Sequence, residues 1–323
     1  MSVGSEQHGI VTEVGSRSVR VWVDDLGELR CTLRGNLWAA ERDESRPVAV
    51  GDRVVVRVEG EGEGVVESVD ERDNRLCRPQ PAGRDGERSR GRGGRTSTVQ
   101  VIAANLDRLI IVSALIDPPF REGLVDRFLV TADMEGIDPL VVINKVDLDP
   151  DGEELAWTFL APYEDENVPL HVTSATTGLG IDDLREEMSQ GISLLVGHSG
   201  VGKSSLLNAV SPGLRLAIGD VTDYHGRGRH TTTRVSLKPL KSGGWVVDSP
   251  GMREFGLDAI PAGELARLFP GFGDLPHACK FNNCLHRNEP GCAVVDAVEA
   301  DTFEPERYEG YLKLLEELEG GEG

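Results

Sequence analysis

The chain has 323 residues, 39% of them hydrophobic, and a formal net charge of −21, which allows two or three domains with ordinary cores and argues against indiscriminate binding to nucleic acid. Apolar runs such as 109–112 and 140–143 are strand-length and far short of a membrane span. Five cysteines, an odd number and mostly clustered, do not fit a secreted disulfide framework, and the opening MSVGSEQHGI lacks the basic-then-apolar pattern of a signal peptide, so a cytoplasmic protein is expected.

Residues 8–70 alternate apolar and polar in short runs, as in Val19-Arg20-Val21-Trp22-Val23 and Arg53-Val54-Val55-Val56-Arg57-Val58. Turn clusters at 24–27 and 59–62 separate them. Five short strands in so little chain predict a small barrel over 1–77, an OB-fold rather than the similarly patterned SH3-like barrel. Such a barrel either binds single-stranded nucleic acid on one face or caps the next domain. Residues 78–99, rich in Gly, Arg and Ser, read as a linker. The stretch 72–95 holds eight arginines against three acids, so it is either a local phosphate contact in an acidic chain or a solvated linker.

From 100 to 257 strands and helices alternate. Strands are expected at 109–113, 140–143, 170–173, 192–196 and 245–247, and helices at 124–135, 153–163, 181–188 and 203–210. This pattern gives a mostly parallel sheet with helices on both faces and ligands at the carboxyl ends of the strands. The motifs sit there. Asn144-Lys145-Val146-Asp147 reads NKVD, in which the Asp147 carboxylate can accept from guanine N1–H and its exocyclic amine. Adenine offers neither donor. Asn144 would contact O6 or brace the loop, Lys145 can lay its stem over the base, and Ser174-Ala175 would complete the pocket through a backbone N–H.

Gly197-His198-Ser199-Gly200-Val201-Gly202-Lys203-Ser204 follows a strand and opens a helix, the context that a phosphate loop requires. Its glycines let backbone N–H groups face phosphates at a helix N-terminus. Lys203 would reach the β- and γ-phosphates, Ser204 would bind Mg²⁺, and Ser205 belongs to the same nucleotide-contacting turn. The polar stretch 211–234, with Tyr224-His225-Gly226-Arg227-Gly228-Arg229-His230, fits a switch loop that orders around γ-phosphate and Mg²⁺. Thr233, with Thr232 beside it, is the candidate Mg²⁺ threonine. Asp248-Ser249-Pro250-Gly251 (DxxG) supplies Asp248 for Mg²⁺ and the Gly251 N–H for the γ-phosphate. Met252 stands where many GTPases carry a water-positioning glutamine. Intrinsic hydrolysis is therefore expected to be slow unless His230, Arg227 or Arg229 contributes; otherwise His230 is a solvent-exposed loop residue.

Residues 258–323 read as a small helical domain. Cys279, Cys284, His286 and Cys292 place four soft ligands in 14 residues, fitting one structural tetrahedral Zn²⁺; the alternative is a set of reduced buried thiols. This segment shows no obvious core of its own, so metal is expected to drive its folding. Pro305 can start a helix with an apolar stripe at Tyr308, Tyr311, Leu312, Leu315 and Leu318.

An ordinary GTPase runs phosphate loop, threonine, DxxG, NKxD, SA. Here NKVD and SA come first and the cyclic order is kept, the signature of a circular permutation. The residues by themselves give a Mg²⁺-dependent GTPase with nucleic-acid-binding accessories, which fits a GTP-regulated RNA-binding switch acting on some RNA or ribonucleoprotein; a metabolic P-loop kinase is the alternative, against which the NKVD and SA pair argues. The permuted order, the preceding barrel, the Cys-x4-Cys-x-His-x5-Cys pattern and the segments GHSGVGKSSLLN, GRHTTT, DSPGMREFG, NKVDL and Ala103-Ala104-Asn105 together resemble the ribosome small-subunit-dependent GTPase A family, also called RsgA or YjeQ. The resemblance covers nearly the whole chain. It implies a multidomain fold: an N-terminal OB-fold β-barrel, a circularly permuted α/β P-loop GTPase domain and a C-terminal zinc-binding domain. It also implies a cytoplasmic, monomeric factor that binds the 30S ribosomal subunit and its 16S rRNA late in maturation. In that family GTP hydrolysis to GDP is stimulated by the subunit and coupled to release, and His230 matches the switch histidine held to be catalytic. The strong acidity and His198 within the phosphate loop depart from the family pattern.

Overall fold

The computed structural model describes residues 5–39, 46–79, 99–214, 235–248 and 260–320. In chain order the elements are β1 (Glu6–Val14), β2 (Val19–Val23), β3 (Gly27–Leu33), a short α1 (Asn36–Ala39), β4 (Arg53–Gly60), β5 (Glu63–Val69), β6 (Arg75–Pro79) and β7 (Val99–Ala104). Next come β8 (Arg108–Ala114), α2 (Glu122–Glu135), β9 (Asp138–Asn144), α3 (Gly152–Leu160), β10 (Leu170–Val172), α4 (Ile181–Glu187), β11 (Ile192–Val196) and α5 (Lys203–Val210). The last are β12 (Ser236–Pro239), β13 (Trp245–Asp248), α6 (Ala262–Leu268), α7 (Ala293–Glu299) and α8 (Pro305–Gly320). Two compact units result. One takes in the described residues up to 107 with 190–194 and 235–248; the other takes in 108–189, 195–214 and 260–320.

In the first unit the period-two pattern does what it predicts. Val19, Val21 and Val23 are buried while Arg20 is exposed. β1 pairs with both β2 and β4, β2 with β3, β3 with β5 in parallel, and β5 with β4. The five strands therefore close into an OB-like barrel with no free edge, around a core rich in valine: Val11, Val21, Val54, Val56 and Val66, with Cys31, are fully buried. β12 and β13 pair antiparallel, and Trp245 meets the barrel's Trp22 edge to face at 5.6 Å.

The strands that flank the arginine-rich stretch, β6 and β7, pair with each other antiparallel. Beyond them Asn105, buried with φ 53°, is a hydrogen-bond hub. Its amide donates to the Gly51 carbonyl at 3.0 Å, and its side-chain oxygen accepts from the Arg53 guanidinium and the Asp73 N–H, each at 3.0 Å. Gly51 must be glycine, because at φ +89° a Cβ would lie 2.2 Å from the Ala104 carbonyl oxygen. Arg72, counted above with the basic stretch, instead makes a two-pronged pair with the buried Asp52 at 2.6 and 2.9 Å. It is committed to structure rather than to phosphates.

In the second unit β8, β9 and β10 are parallel, with β9 central. After their first residues β8 and β9 are buried without a break, as strands covered on both faces are. α2 ends at Gly136 in the left-handed region (φ 64°), where a Cβ would be strained. The helix expected over 153–163 stops at Leu160 and tightens into a 3₁₀ turn over Ala161–Glu166, because Pro162 cannot donate the next helical hydrogen bond.

The expectation that the segment after 258 lacks a core is corrected. Leu265, Phe269, Phe272, Cys292, Val294, Tyr311 and Leu315 pack with Val130 of α2 into one buried cluster. Phe272 contacts Phe269, Phe303 and Tyr311 at ring distances of 4.8–5.0 Å. Within the segment these residues are scattered over three helices, α6, α7 and α8, and the turns between them, so no single window shows the period. On α8, Tyr311, Leu314, Leu315 and Leu318 are the buried apolar stripe, with Tyr308 and Leu312 at its margin; Leu314 takes its place by the i, i+3 spacing from Tyr311. The same face buries Arg307. Its guanidinium donates to the carbonyls of Pro162 (2.7 Å) and Pro270 (2.9 Å), lies 3.6 Å from the fully buried Asp126 of α2, and sits over the Tyr163 ring.

Candidate functional site

β11 feeds directly into the phosphate loop, and the loop's conformation belongs to glycine. Gly197, Gly200 and Gly202 have φ of 137°, 85° and 96°. A Cβ on Gly197 would fall 2.0 Å from the Val112 carbonyl oxygen, and one on Gly202 would fall 2.3 Å from the Asn144 amide nitrogen. No other residue fits this close approach. Lys203 opens α5, and its ammonium donates to the carbonyls of Gly197 (2.7 Å) and His198 (2.8 Å), folding the side chain back over the loop. Val201 is buried, Ser204 and Ser205 lie half-buried in the first turn of α5, and the exposed His198 ring contacts the Ser199 carbonyl at 2.8 Å.

The base-reading motif meets this loop through one side chain. Asn144 ends β9 and is buried. Its amide donates to the Val201 carbonyl at 2.9 Å, while its oxygen accepts from the Ala175 N–H and the Thr173 hydroxyl, each at 3.3 Å. Through these bonds Asn144 ties NKVD, the Ser174-Ala175 loop and the phosphate loop together. Lys145 turns the chain with φ 66°, and its ammonium donates to the Asp117 carbonyl. The Ser174 hydroxyl donates to Asp147 Oδ1 at 2.6 Å and accepts from the Thr177 N–H at 3.0 Å, which fixes the carboxylate. Thr173 and Asp117 were not singled out from the sequence. One acts through a hydroxyl beside a known motif and the other through a carbonyl, which no residue type announces.

Asp248 ends β13 half-buried, opposite Ser236. Burial pushes its carboxyl upward, against the pull of Lys238; a cation at that carboxylate would reverse the shift. His230, Thr232, Thr233, Gly251 and Met252 lie outside the described residues.

Cys279, Cys284, His286 and Cys292 converge, with all four ligand atoms within 4.8 Å of one another. Cys279 Sγ lies 3.9 Å from Cys292 Sγ, and each of these sulfurs is 3.4 Å from His286 Nδ1. A tetrahedral ion with sulfur at about 2.3 Å and nitrogen at about 2.0 Å places such atoms about 3.8 and 3.5 Å apart. The donor set thus fits a metal ion and supplies all four ligands. Burial pushes the Cys284 thiol up to about 12, a cost that a bound dication removes by taking the thiolate. N–H groups of Ala293 and Val295 point at the sulfurs of Cys279 and Cys292 at 3.3 and 3.5 Å. Tyr308 and Tyr311 hold the carbonyls of His286 and Leu285 at 2.7 and 3.0 Å.

Glu289 is the organiser that the sequence reading missed. Its carboxylate accepts from the N–H groups of Leu285, Arg287 and Asn288 at 2.8–3.1 Å. Burial raises its pKa, but these bonds outweigh it and hold the carboxyl down at about 2. The signal was a lone acid in the loop between two cysteines.

The chain matches the RsgA GTPase family model over residues 69–258. It is 39% identical over 314 residues to the small ribosomal subunit biogenesis GTPase RsgA of Gemmatimonas aurantiaca, covering 97% of each chain. The chain belongs to the RsgA GTPase family. The Chlorobaculum tepidum RsgA is 38% identical, with 96% of this chain and 97% of that one covered. Among solved structures, YjeQ from Thermotoga maritima superposes with TM-score 0.77 at 35% identity, covering 98% of this chain and 99% of that one. YloQ, a circularly permuted GTPase, gives 0.71 at 28% identity, covering 98% and 96%. The RsgA family accounts for the permuted motif order, the OB-like barrel before it and the Cys₃His cluster after it, and it makes the chain a GTP hydrolase. Among the described residues no helix is long and apolar enough to cross a membrane.

Proposed function

We propose that this GTPase assists late maturation of the 30S ribosomal subunit, gripping its 16S rRNA in the GTP state and leaving after hydrolysis to GDP stimulated by the subunit. The observation that carries the reading is the Asn144 brace, which joins base-reading, SA and phosphate loops into one guanine-nucleotide site. The name shared by near full-length relatives supports the choice of subunit. In this reading Lys203 binds the β- and γ-phosphates, Ser204, Thr233 and Asp248 hold Mg²⁺, the Gly251 N–H senses the γ-phosphate, and His230 assists hydrolysis. Cys279, Cys284, His286 and Cys292 bind one structural Zn²⁺. The protein works as a cytoplasmic monomer organised as barrel (1–77), linker (78–99), permuted GTPase domain (100–257) and zinc domain (258–323). DxxG runs straight into the zinc-bearing segment, so ordering of that loop by γ-phosphate repositions it. Subunit affinity should then be higher with a non-hydrolysable GTP analogue than with GDP at matched salt, and by linkage the subunit favours the GTP form by the same factor. Equal affinities would sink this coupling.

Two further results are expected. His230→Ala should cut subunit-stimulated turnover by about 100-fold or more, as for a removed acid–base group, while GTP binding stays near normal; unchanged stimulated turnover would make His230 a bystander. Native protein should carry one Zn²⁺ per chain. Because the segment has a core of its own, chelation should speed amide hydrogen exchange in 279–295 well before α8 comes loose. Loss of protection throughout 260–320 at once would return the folding role to the metal.

A further inference from the structure

The ligand-bearing loop carries a feature that its metal-binding role does not use. Phe281, between the first two cysteines, is 42% exposed. Its backbone is fixed by the Cys284 N–H, which donates to its carbonyl at 3.2 Å. The Lys280 ammonium stands 5.4 Å from the Phe281 ring centroid. That placement is built. The Lys280 N–H donates to the Gly291 carbonyl, and Gly291, at φ +77°, leaves room for the lysine stem, whose carbons would lie 3.2–3.9 Å from any Cβ there. Beside the ring the Cys₃His site opens to the surface through a polar cavity of about 100 Å³, lined by Arg267, His277 and Asn282 together with the ligand residues Cys279, Cys284 and His286.

The charge of the surroundings discriminates among partners. Within 275–292 the formal charges are Lys280 and Arg287 against one acid, Glu289. Glu289 is turned inward onto three N–H groups, and Arg287 pairs with Glu319 at 2.5 Å. Lys280 is thus the cation at the ring, with Arg267 at the cavity, held only loosely by Glu264 at 3.4 Å. In a chain of net charge −21 this patch lacks the acidic excess of the rest. The other exposed aromatics among the described residues, Trp157 and Phe159, share α3 with Glu153 and Glu154, which repel a phosphate backbone. An exposed ring, an adjacent ammonium and polar side chains able to meet a base edge are what an unpaired nucleotide requires: stacking for the base and a cation for the phosphate.

We propose that Phe281 and Lys280 form a stacking platform for one unpaired base of single-stranded RNA, with Arg267, His277 and Asn282 meeting its edge or phosphate. This rests on the subunit reading above and names one of its RNA contacts. The test uses full-length, zinc-replete protein and Phe281→Ala, Phe281→Trp and Lys280→Gln, with zinc content and GTP affinity as controls on folding. Binding is measured to a labelled, unstructured 12-nucleotide RNA and to purified 30S subunits. Phe281→Ala should weaken both roughly 5- to 150-fold, Phe281→Trp should retain binding, and Lys280→Gln should lower the salt slope on the RNA by about 0.7. Equal RNA affinity for Phe281→Ala and the unmodified chain overturns the platform, and so does loss of subunit affinity alone, which would assign the ring to a protein contact. RNA binding that depends on Phe281 while the unmodified chain ignores 30S subunits would uphold the platform and remove the subunit reading instead.

Discussion

Asp147→Asn should lower GTP affinity by about 1,000-fold or more and turn the preference toward xanthosine triphosphate. The Asp147 carboxylate is oriented by the Ser174 hydroxyl at 2.6 Å, and the loop that carries it is tied to the phosphate loop through Asn144. Guanine presents two donors to that carboxylate. Asparagine at the position turns an N–H₂ group toward them, so a donor faces a donor and guanine's own groups are buried unpaired. Xanthine replaces the exocyclic amine with a carbonyl and restores a partner. The substitution leaves the Asn144 brace and the glycines untouched, so the fold should not change. Competition of GTP, ATP and xanthosine triphosphate against a fluorescent nucleotide measures the switch; GTP affinity within a few-fold of the unmodified chain would mean that Asp147 does not read the base.

Arg307→Met should destabilise the second unit by about 3–5 kcal/mol, the range for breaking a buried ion pair from one side. Arg307 is 5% exposed and Asp126 fully buried. Methionine would leave the carbonyls of Pro162 and Pro270 without donors and Asp126 without its cation, although Tyr163 would still donate to Asp126 at 3.0 Å. The cost should depend on pH. Burial pushes the Asp126 carboxyl up to about 7, with Arg307 and then the Tyr163 hydroxyl pulling it down. A carboxylate so raised keeps its proton in the folded chain after the unfolded chain has lost it. Its contribution is therefore complete below about pH 4 and declines as pH rises to about 7. Removing Arg307 raises that pKa further, so the variant's penalty should be larger at pH 8 than at pH 5. Urea unfolding at the two pH values reads it directly. A penalty below about 1 kcal/mol, or one that shrinks as pH rises, would contradict this account of the pair.

Much of the site was legible because its chemistry is local. A phosphate loop needs glycines between a strand and a helix, and β11, Gly197–Gly202 and α5 fall where that pattern puts them. NKVD and the cysteine pattern likewise carry their meaning within a few residues. Long-range pairings were not legible. β6 and β7 are short and far apart in sequence, and only their mutual pairing makes them strands. Asn105 stood out as part of a family segment, but its role as a hub appears only when Gly51, Arg53 and Asp73 are brought beside it. Arg72 stood in a stretch open to phosphate or to solvent, and its partner, the buried Asp52, lies 20 residues away. The C-terminal core escaped for the same reason, since Phe269, Phe272 and Tyr311 meet only in three dimensions, and Arg307 on an apolar face broke the pattern that would have announced it. Glu289 shows the converse: a charged residue whose work is to cap backbone N–H groups looks like any surface acid in one dimension.

The most direct test of the central claim is the GTP hydrolysis rate of the zinc-replete, full-length chain, measured alone and with purified 30S subunits at fixed salt and Mg²⁺. With Met252 at the usual glutamine position, the chain alone should turn over slowly, and subunits should raise the rate by about 100-fold or more, the scale of a catalytic group brought into place. The 50S subunit and bulk RNA should not. A rate unchanged by 30S subunits, or raised equally by any RNA, would contradict the account.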